Sequence, residues 1–477
     1  MSPVRERLTK IVCTLGPTSS GEGIIEQMAR AGMDVARVNF SHGTQAEHAQ
    51  AIQRVRSVEG RISRPIAILQ DLQGPKIRLG VFEGGSAVLR RGRGFVLTTS
   101  AVRGSAERAS ISYGGFCRDV KPGDRVLIDD GRISLEVQDV EGDDVVCRVE
   151  TGGVVQDHKG VNLPRTAVRM GVLTEKDGDD LAFGLRHGVD YVGVSFVRSA
   201  ADLLEVREFI NEHRSDAQVV AKLERPEALG RLDEILAATS AVMVARGDLG
   251  VEMPLEEVPI AQKEIIRKAR LARTPVIIAT QMLESMIISA RPTRAEVSDV
   301  ANAILDGTDA VMLSAESAAG AYPVEAVKVL DRIIRRTEAA FPPASMDRPR
   351  RGEVSFPQAI SDAAAFSAQE LKARAIVAFT QSGSTARLIS QDRPPVPIIA
   401  FAPSERVRRR LALDWGVVPR LIGKLTSMDE MVTEIESNLL GDRTVRYNDI
   451  LIIVAGAPLW VRGTVNLLKL HRVGEHR

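Results

Sequence analysis

Cysteine is scarce in this chain: Cys13, Cys117 and Cys147 are the only three in 477 residues. An odd number without metal-ligand spacing argues against a disulfide-stapled fold and points to a reduced, cytosolic protein. Long apolar runs are missing too. The opening MSPVRERLTK leads into IVCTLGP, which is too short for a signal peptide, and no stretch is long enough to span a bilayer. Neither sign of charge is in surplus. The formal net charge is +1, which argues against a broad nucleic-acid or membrane surface. Internal repeats and low-complexity segments are also absent from the sequence.

What is present is enough apolar residue, 44% against 26% charged, to bury the cores of two or three domains. Short runs rich in Val and Ile recur with helical segments between them. They are Ile11–Leu15, Val35–Asn39, Ile66–Asp71, Tyr191–Ser195, Val219–Lys222, Ala241–Ala245, Val276–Thr280 and Ala310–Leu313. Such runs suit strands buried on both faces. Eight of them, alternating with helices such as Ile24–Ala31, Ala46–Val58, Leu203–Glu212 and Ile260–Ala272, predict a (β/α)8 TIM barrel. An open doubly wound sheet is the rival, since strand count alone does not prove closure.

The barrel is expected to occupy residues 1–73 and 171–340. Residues 74–170 break its pattern with strand-like pieces (Ala87–Leu89, Phe95–Thr99, Arg125–Ile128, Val145–Glu150) and turns at Lys121–Asp124 and Glu141–Asp144. They predict an inserted small β-barrel domain at the barrel's carboxyl-terminal face, placed to close over a site as a lid. Phe341–Glu353 is rich in Pro and charge and reads as a linker. Residues 354–477 then predict a separate α/β domain with strands at Ala375–Phe379, Pro397–Phe401, Val417–Leu421, Ile450–Val454 and Thr464–Leu470.

One stretch carries most of the chemistry. Val219–Glu224 reads VVAKLE, and alternation along a strand puts Lys222 and Glu224 on the same side at its carboxyl end. A cation and an anion crowded there suit a phosphate and a metal ion; taken alone, a surface ion pair explains them as well. Ala241–Glu252, AVMVARGDLGVE, is a second buried run that ends in a Gly-flanked Asp248 at an apparent helix start. Two parallel strands releasing carboxylates at one end describe a site at a barrel mouth.

Nine motifs in sequence then resemble one family. They are KIVCTLGP (Lys10–Pro17), GMDVARVNFSHG (Gly32–Gly43), DLQGPKIR (Asp71–Arg78), KGVNLP (Lys159–Pro164), AKLERPE (Ala221–Glu227), MVARGDLGVE (Met243–Glu252), ATQMLESM (Ala279–Met286), RPTRAEVSDVANAILDG (Arg291–Gly307) and AVMLSAESAAGAYP (Ala310–Pro323). In that order they are similar to pyruvate kinases, over nearly the whole chain. The resemblance implies the three-part fold above, transfer of the phosphoryl group of phosphoenolpyruvate to ADP in the cytoplasm, and a homotetramer.

It also implies roles. Glu224 and Asp248 match metal ligands, a donor set suited to octahedral Mg²⁺ or Mn²⁺. Lys222 matches the lysine that stabilises the transferring phosphoryl group. Thr280 matches a substrate-binding threonine near the enolate's proton relay. A lone hydroxyl is a poor acid, so Thr280 is expected to orient a water; capping of the next helix is its structural alternative. The amides of Gly247 and Asp248 are placed for the substrate carboxylate, although Asp248 alone also reads as a helix N-cap. Arg37 matches the grip on the substrate phosphate. Arg78 and Lys159 match nucleotide-phosphate contacts, with Asn39 and His42 near the nucleotide; for His42 a structural hydrogen bond is an equal reading.

The stretch Asp71–Gly80 departs from the common pattern. Many members bind potassium through positions matching Asn39, Ser41, Asp71 and the carbonyl that follows it. The stretch commonly written DTKGPEIRTG here reads DLQGPKIRLG, so Lys76 stands where a glutamate is usual. An ammonium there supplies the charge that potassium otherwise brings. The chain resembles the potassium-independent bacterial branch, so Mg²⁺ is expected to be required and potassium not. In the last domain, Thr380–Arg387 reads TQSGSTAR after a strand. By the resemblance Thr380, Ser382, Gly383, Ser384 and Thr385 form a loop for a phosphorylated effector; N-capping by Ser382 or Ser384 is the alternative. A further phosphohistidine-type domain, as some bacterial members carry, is not expected. The rival enzyme is a metal-dependent barrel aldolase or lyase that needs no nucleotide, and the rival non-enzyme is an effector sensor that has lost activity. Arg78, Lys159 and the inserted domain argue against the first. The presence of Arg37, Lys222, Glu224, Asp248 and Thr280 together argues against the second.

Overall fold

Eight parallel strands close on themselves in the computed structural model, which describes residues 7–164, 166, 168–342, 354–423, 425, 427–457 and 465–475. The strands are Lys10–Leu15, Val35–Asn39, Ala67–Asp71, Tyr191–Val194, Gln218–Leu223, Ala241–Ala245, Val276–Ala279 and Ala310–Leu313. Each pairs with its neighbours in sequence order, and the eighth returns to the first with Lys10 opposite Ala310. Closure removes the open-sheet alternative. The runs are buried almost end to end because their inner face fills the barrel and their outer face meets the helices. Some of the helices around them start where a side chain satisfies their first amides. Thr44 with Glu47, and Thr293 with Glu296, form capping boxes. Because all eight strands run the same way, the residues just after each strand gather at one rim.

After the third strand the chain leaves to build the inserted unit. A six-stranded mixed sheet runs in the order Val161–Asn162, Arg125–Ile128, Ile133–Glu141, Asp144–Thr151, Gly94–Thr98, Arg108–Ser110, beside a ribbon of Ser86–Leu89 with Gly153–Gln156. It curls around its own core, centred on Phe95, Leu97, Phe116, Val126 and Leu135. The outgoing and returning stretches run side by side, with Arg78 bridged to Gly160 and the Leu79 amide donating to the Lys159 carbonyl at 2.9 Å.

The last unit is a five-stranded sheet in the order Val417–Leu421, Ile398–Ala402, Ala375–Phe379, Ile450–Ala455, Leu467–Arg472, parallel except for its final strand. That strand begins at Leu467; Thr464, where it was expected to begin, and most of the expected linker (343–353) lie outside the described residues. This sheet's domain caps the amino-terminal end of the barrel. Ala412 and Leu413 join the barrel's inner apolar cluster, and Arg393 with Gln391 binds the buried Asp309 carboxylate at 2.9 and 3.0 Å. No helix among the described residues is long and apolar enough to cross a membrane.

Candidate active site

At the carboxyl-terminal rim the second, third and fifth strands bring four charges together. Lys222 Nζ lies 2.8 Å from Glu224 Oε1 and 3.1 Å from Asp71 Oδ1, and it donates to Ser195 Oγ at 2.7 Å. Arg37, on the second strand, donates to the other oxygen of Asp71 at 2.6 Å and to Thr14 Oγ1 at 3.0 Å. Asp71 thus sits at the base of the site between two cations. Gly193 makes room for it, since a Cβ there would lie 3.2 Å from Asp71 Oδ1.

Burial opposes ionisation of Asp71, but Lys222 and Arg37 outweigh it and hold the carboxyl below its ordinary range. Burial likewise opposes the charge on Lys222, and Asp71 and Glu224 overcome that, so the ammonium is held well above an ordinary lysine. Burial pushes Glu224 up to about 7; Lys222 pulls it down and the nearby Asp248 carboxylate adds to the push. Lys222 is the firmer charge of this pair, because it has two carboxylates where Glu224 has one ammonium.

The other half of the site hangs on the sixth and seventh strands. The helix Arg246–Glu252 starts directly at the end of Ala241–Ala245, and Asp248 lies in its first turn. Its N-cap position is Ala245, with no side-chain cap, so Asp248 is not the helix cap that its sequence setting allows. The Gly247 amide, left by the sequence for a substrate carboxylate, here donates to Thr280 Oγ1 at 2.8 Å. Thr280 in turn donates to the Ala279 carbonyl at 2.6 Å, so it caps no following helix. Thr280 and Gln281 hold φ of +69° and +56°, and Phe196, whose amide donates to Glu224 Oε2 at 2.9 Å, holds +56°. Left-handed backbone at a non-glycine residue costs about 1–3 kcal/mol. Three such residues at one rim mark backbone bent to aim groups inward.

Glu224 and Asp248 fit a hard divalent ion. Two carboxylates close enough for Asp248 to oppose the charge on Glu224, with Asp248 lining the adjoining cleft, form an oxygen donor set for Mg²⁺ or Mn²⁺. No group of three or more metal-ligating side chains occurs among the described residues, so the remaining positions are left to substrate oxygens and water.

The cleft above this base lies between the rim and the inserted unit. Lys76, Asp130 and Asn162 line it together with Phe196, Asp248 and Glu252. Other expected residues bond elsewhere, although Asn39 is the register partner of Asp71. Lys159 pairs with Asp129 at 2.8 Å within the inserted unit, and Arg78 donates to the His158 carbonyl at 3.0 Å. Asn39 Oδ1 accepts the Ser41 amide at 3.2 Å, and His42 is exposed. The Leu72 carbonyl, the fourth potassium position, accepts from Ser195 Oγ at 2.8 Å. The loop Thr380–Thr385 lies in the last domain. Gly383, at φ +95°, is the N-cap residue of the helix Ser384–Gln391, in place of either serine, and its amide donates to Thr380 Oγ1.

Sequence reasoning passed over Ser195 and Arg246, and it gave Asp71 only a potassium role. Arg246 donates to the Thr280 carbonyl at 2.6 Å and pairs with Asp299 at 2.7 Å, fixing the bent backbone from behind. A polar residue directly after a buried strand was the signal for both Ser195 and Arg246.

Comparison with known proteins points to one family. The family profile described as "Pyruvate kinase, barrel domain" matches residues 6–327, and "Pyruvate kinase, alpha/beta domain" matches residues 358–471. The pyruvate kinase of Mycobacterium tuberculosis (strain H37Rv) is 47% identical over 98% of this chain and 99% of its own length. That of Corynebacterium glutamicum is 46% identical over 98% of each. Among solved structures, a pyruvate kinase from Cryptosporidium parvum superposes with a TM-score of 0.92 at 35% identity, over 98% of this chain and 96% of that one.

Proposed function

The chain belongs to the pyruvate kinase family, and from that premise we propose which of its residues carry the transfer between phosphoenolpyruvate and ADP. The observation behind the assignment is the cluster of Arg37, Asp71, Lys222 and Glu224, with Asp248 beside it, at the barrel mouth. Phosphoryl transfer needs positioned charge more than covalent help. Glu224 and Asp248 hold the divalent metal that the family uses. When bound, that ion supplies Lewis-acid stabilisation to the enolate oxygen and the phosphate. Lys222 points its ammonium at an equatorial oxygen of the transferring group, and Asp71 keeps that ammonium charged and in place. Arg37 grips the substrate phosphate while Asp71 fixes its guanidinium. The substrate carboxylate takes the amides at the start of Arg246–Glu252, displacing Thr280 Oγ1 from the Gly247 amide. The released Thr280 hydroxyl orients the water that protonates the enolate. Arg78 and Lys159 meet the nucleotide phosphates from the inserted unit, with Asn39 and His42 nearby.

Pyruvate formation from phosphoenolpyruvate and ADP with Mg²⁺ tests the assignment. Turnover that requires all three is expected. No turnover in folded protein that binds Mg²⁺ overturns it, in favour of a nucleotide-independent enzyme or an inactive sensor.

The potassium question turns on Lys76, which is exposed and lines the same cleft as Asp248. Its ammonium is placed to supply the missing monovalent charge. Exchanging tetramethylammonium for potassium at constant ionic strength is therefore expected to change kcat/KM by no more than about twofold. A gain of tenfold or more, on the order of 1.4 kcal/mol, sinks the idea.

Regulation is proposed at Thr380–Thr385, where exposed Ser382 and Ser384 flank the left-handed Gly383 at a helix start. The far end of that helix is Gln391, whose amide group reaches Asp309 just before the eighth barrel strand. Titration with sugar phosphates and AMP at low phosphoenolpyruvate is expected to lower its KM; no shift with any of them removes the proposal. The chain is also proposed to work as a cytoplasmic homotetramer, and a monomer in sedimentation of the same sample would exclude that state.

A further inference from the structure

The returning stretch of the inserted unit is fastened to the barrel rim by residues that sit beside the two carboxylates assigned to the metal. Asn162 Nδ2 donates to Glu252 Oε1 at 2.9 Å. Glu252 is nearly fully buried, and its second oxygen lies 3.9 Å from Arg225 Nη2. That same guanidinium nitrogen donates to the carbonyls of Leu163 and Thr166, at 3.4 and 3.1 Å. Arg225 directly follows Glu224 in the chain, and Glu252 lies four residues after Asp248 on one helix, which puts both on the same face.

We propose that Glu252 is a positioning residue, the centre of a latch with Asn162 and Arg225 that couples the seating of the inserted unit to the placement of Glu224 and Asp248. The physical reason is cooperative. A buried carboxylate that loses its donor is left desolvated without a partner, so Asn162 and Glu252 favour one arrangement of unit and rim over the alternatives. The helix that carries Glu252 also carries Asp248 and the Gly247 amide. Arg78 and Lys159 lie on the inserted unit, so a nucleotide that draws this unit onto the rim also holds that helix in register. The latch thus acts chiefly on nucleotide capture; phosphoenolpyruvate keeps its phosphate grip on Arg37 and Lys222, which Asn162 and Glu252 do not touch, so its binding changes far less.

The test uses the full chain with Asn162→Ala, Glu252→Ala and the double variant. Each single change is expected to raise KM for ADP about tenfold while KM for phosphoenolpyruvate stays within about twofold, and the double variant is expected to match either single one. Glu252→Gln keeps an acceptor oxygen for Asn162 and is expected to recover most of the ADP affinity, which a merely misfolded Glu252→Ala would not predict. Effects that multiply in the double variant, or an equal rise in KM for phosphoenolpyruvate, overturn the latch. The inference rests on reading Asp248 as a metal ligand, and the two fail separately. An unchanged Mg²⁺ requirement in Asp248→Asn sinks that reading, whereas multiplying effects in the Asn162 and Glu252 pair sink the latch.

Discussion

Replacing Lys222 with alanine is expected to lower kcat by about three orders of magnitude or more, the scale of losing one preorganised charge in a water-poor site. The ammonium is buried, held charged by Asp71 and Glu224, and oriented by Ser195, so it needs little rearrangement when phosphoryl charge develops. The protein should survive the change. Arg37 still covers Asp71, and Glu224, already pushed up to about 7, relieves its lost partner by taking a proton while keeping the Phe196 amide. The stability loss is therefore expected at the low end of that for breaking a buried pair, about 3 kcal/mol. Lys222→Arg is not expected to restore activity, since a planar fork does not fit the space of a compact ammonium. Pyruvate formation beside urea denaturation checks both parts. Wild-type kcat in a destabilised alanine variant would leave Lys222 with a structural role only.

Removing either carboxylate beside that lysine should have the second-largest effect. Asp248→Asn and Glu224→Gln are each expected to raise the Mg²⁺ concentration needed for half-activity by about two orders of magnitude. The two differ in what else they disturb. Asp248 is half-buried in the first turn of its helix, so its variant should melt like the parent. Glu224 is buried and balances Lys222, so its variant should also lose stability and phosphoryl-transfer rate. Mg²⁺ titration of activity, with direct Mn²⁺ binding as a second readout, separates these effects. A Mg²⁺ requirement unchanged in both variants would remove the pair from the metal site.

The barrel strands were legible to within a residue or two because burial on both faces leaves Val and Ile little substitute. Lys222 and Glu224 were legible because strand alternation is local, and the 2.8 Å contact bears out that they share a side. The role of Asp71 was not. It meets Lys222 across an intervening strand, where Gly193 leaves the space, and no local pattern reports a contact made by barrel closure. The bent rim was equally hidden. Thr280 is β-branched and resists a positive φ, so only the surrounding bonds from Arg246 and from the Gly247 amide explain its conformation. The inserted domain was legible as strands but not as a pairing order: Gly94–Thr98 pairs with Asp144–Thr151, and such distant pairing is written in no turn signal.

Closure of the ring also sets the order in which the nascent chain acquires structure. The first strand, Lys10–Leu15, finds its last neighbour only when Ala310–Leu313 has been made. At about 5–20 residues per second, the intervening 300 or so residues take about 15–60 s to synthesise. Throughout that time one edge of Lys10–Leu15 offers unpaired amides and carbonyls on a strand of high β-propensity, the kind of template on which other chains aggregate. The inserted unit, with a core of its own made before residue 171, can condense while the barrel waits. The detour that delivers Asn162 to the rim therefore also lengthens the interval before the ring can close.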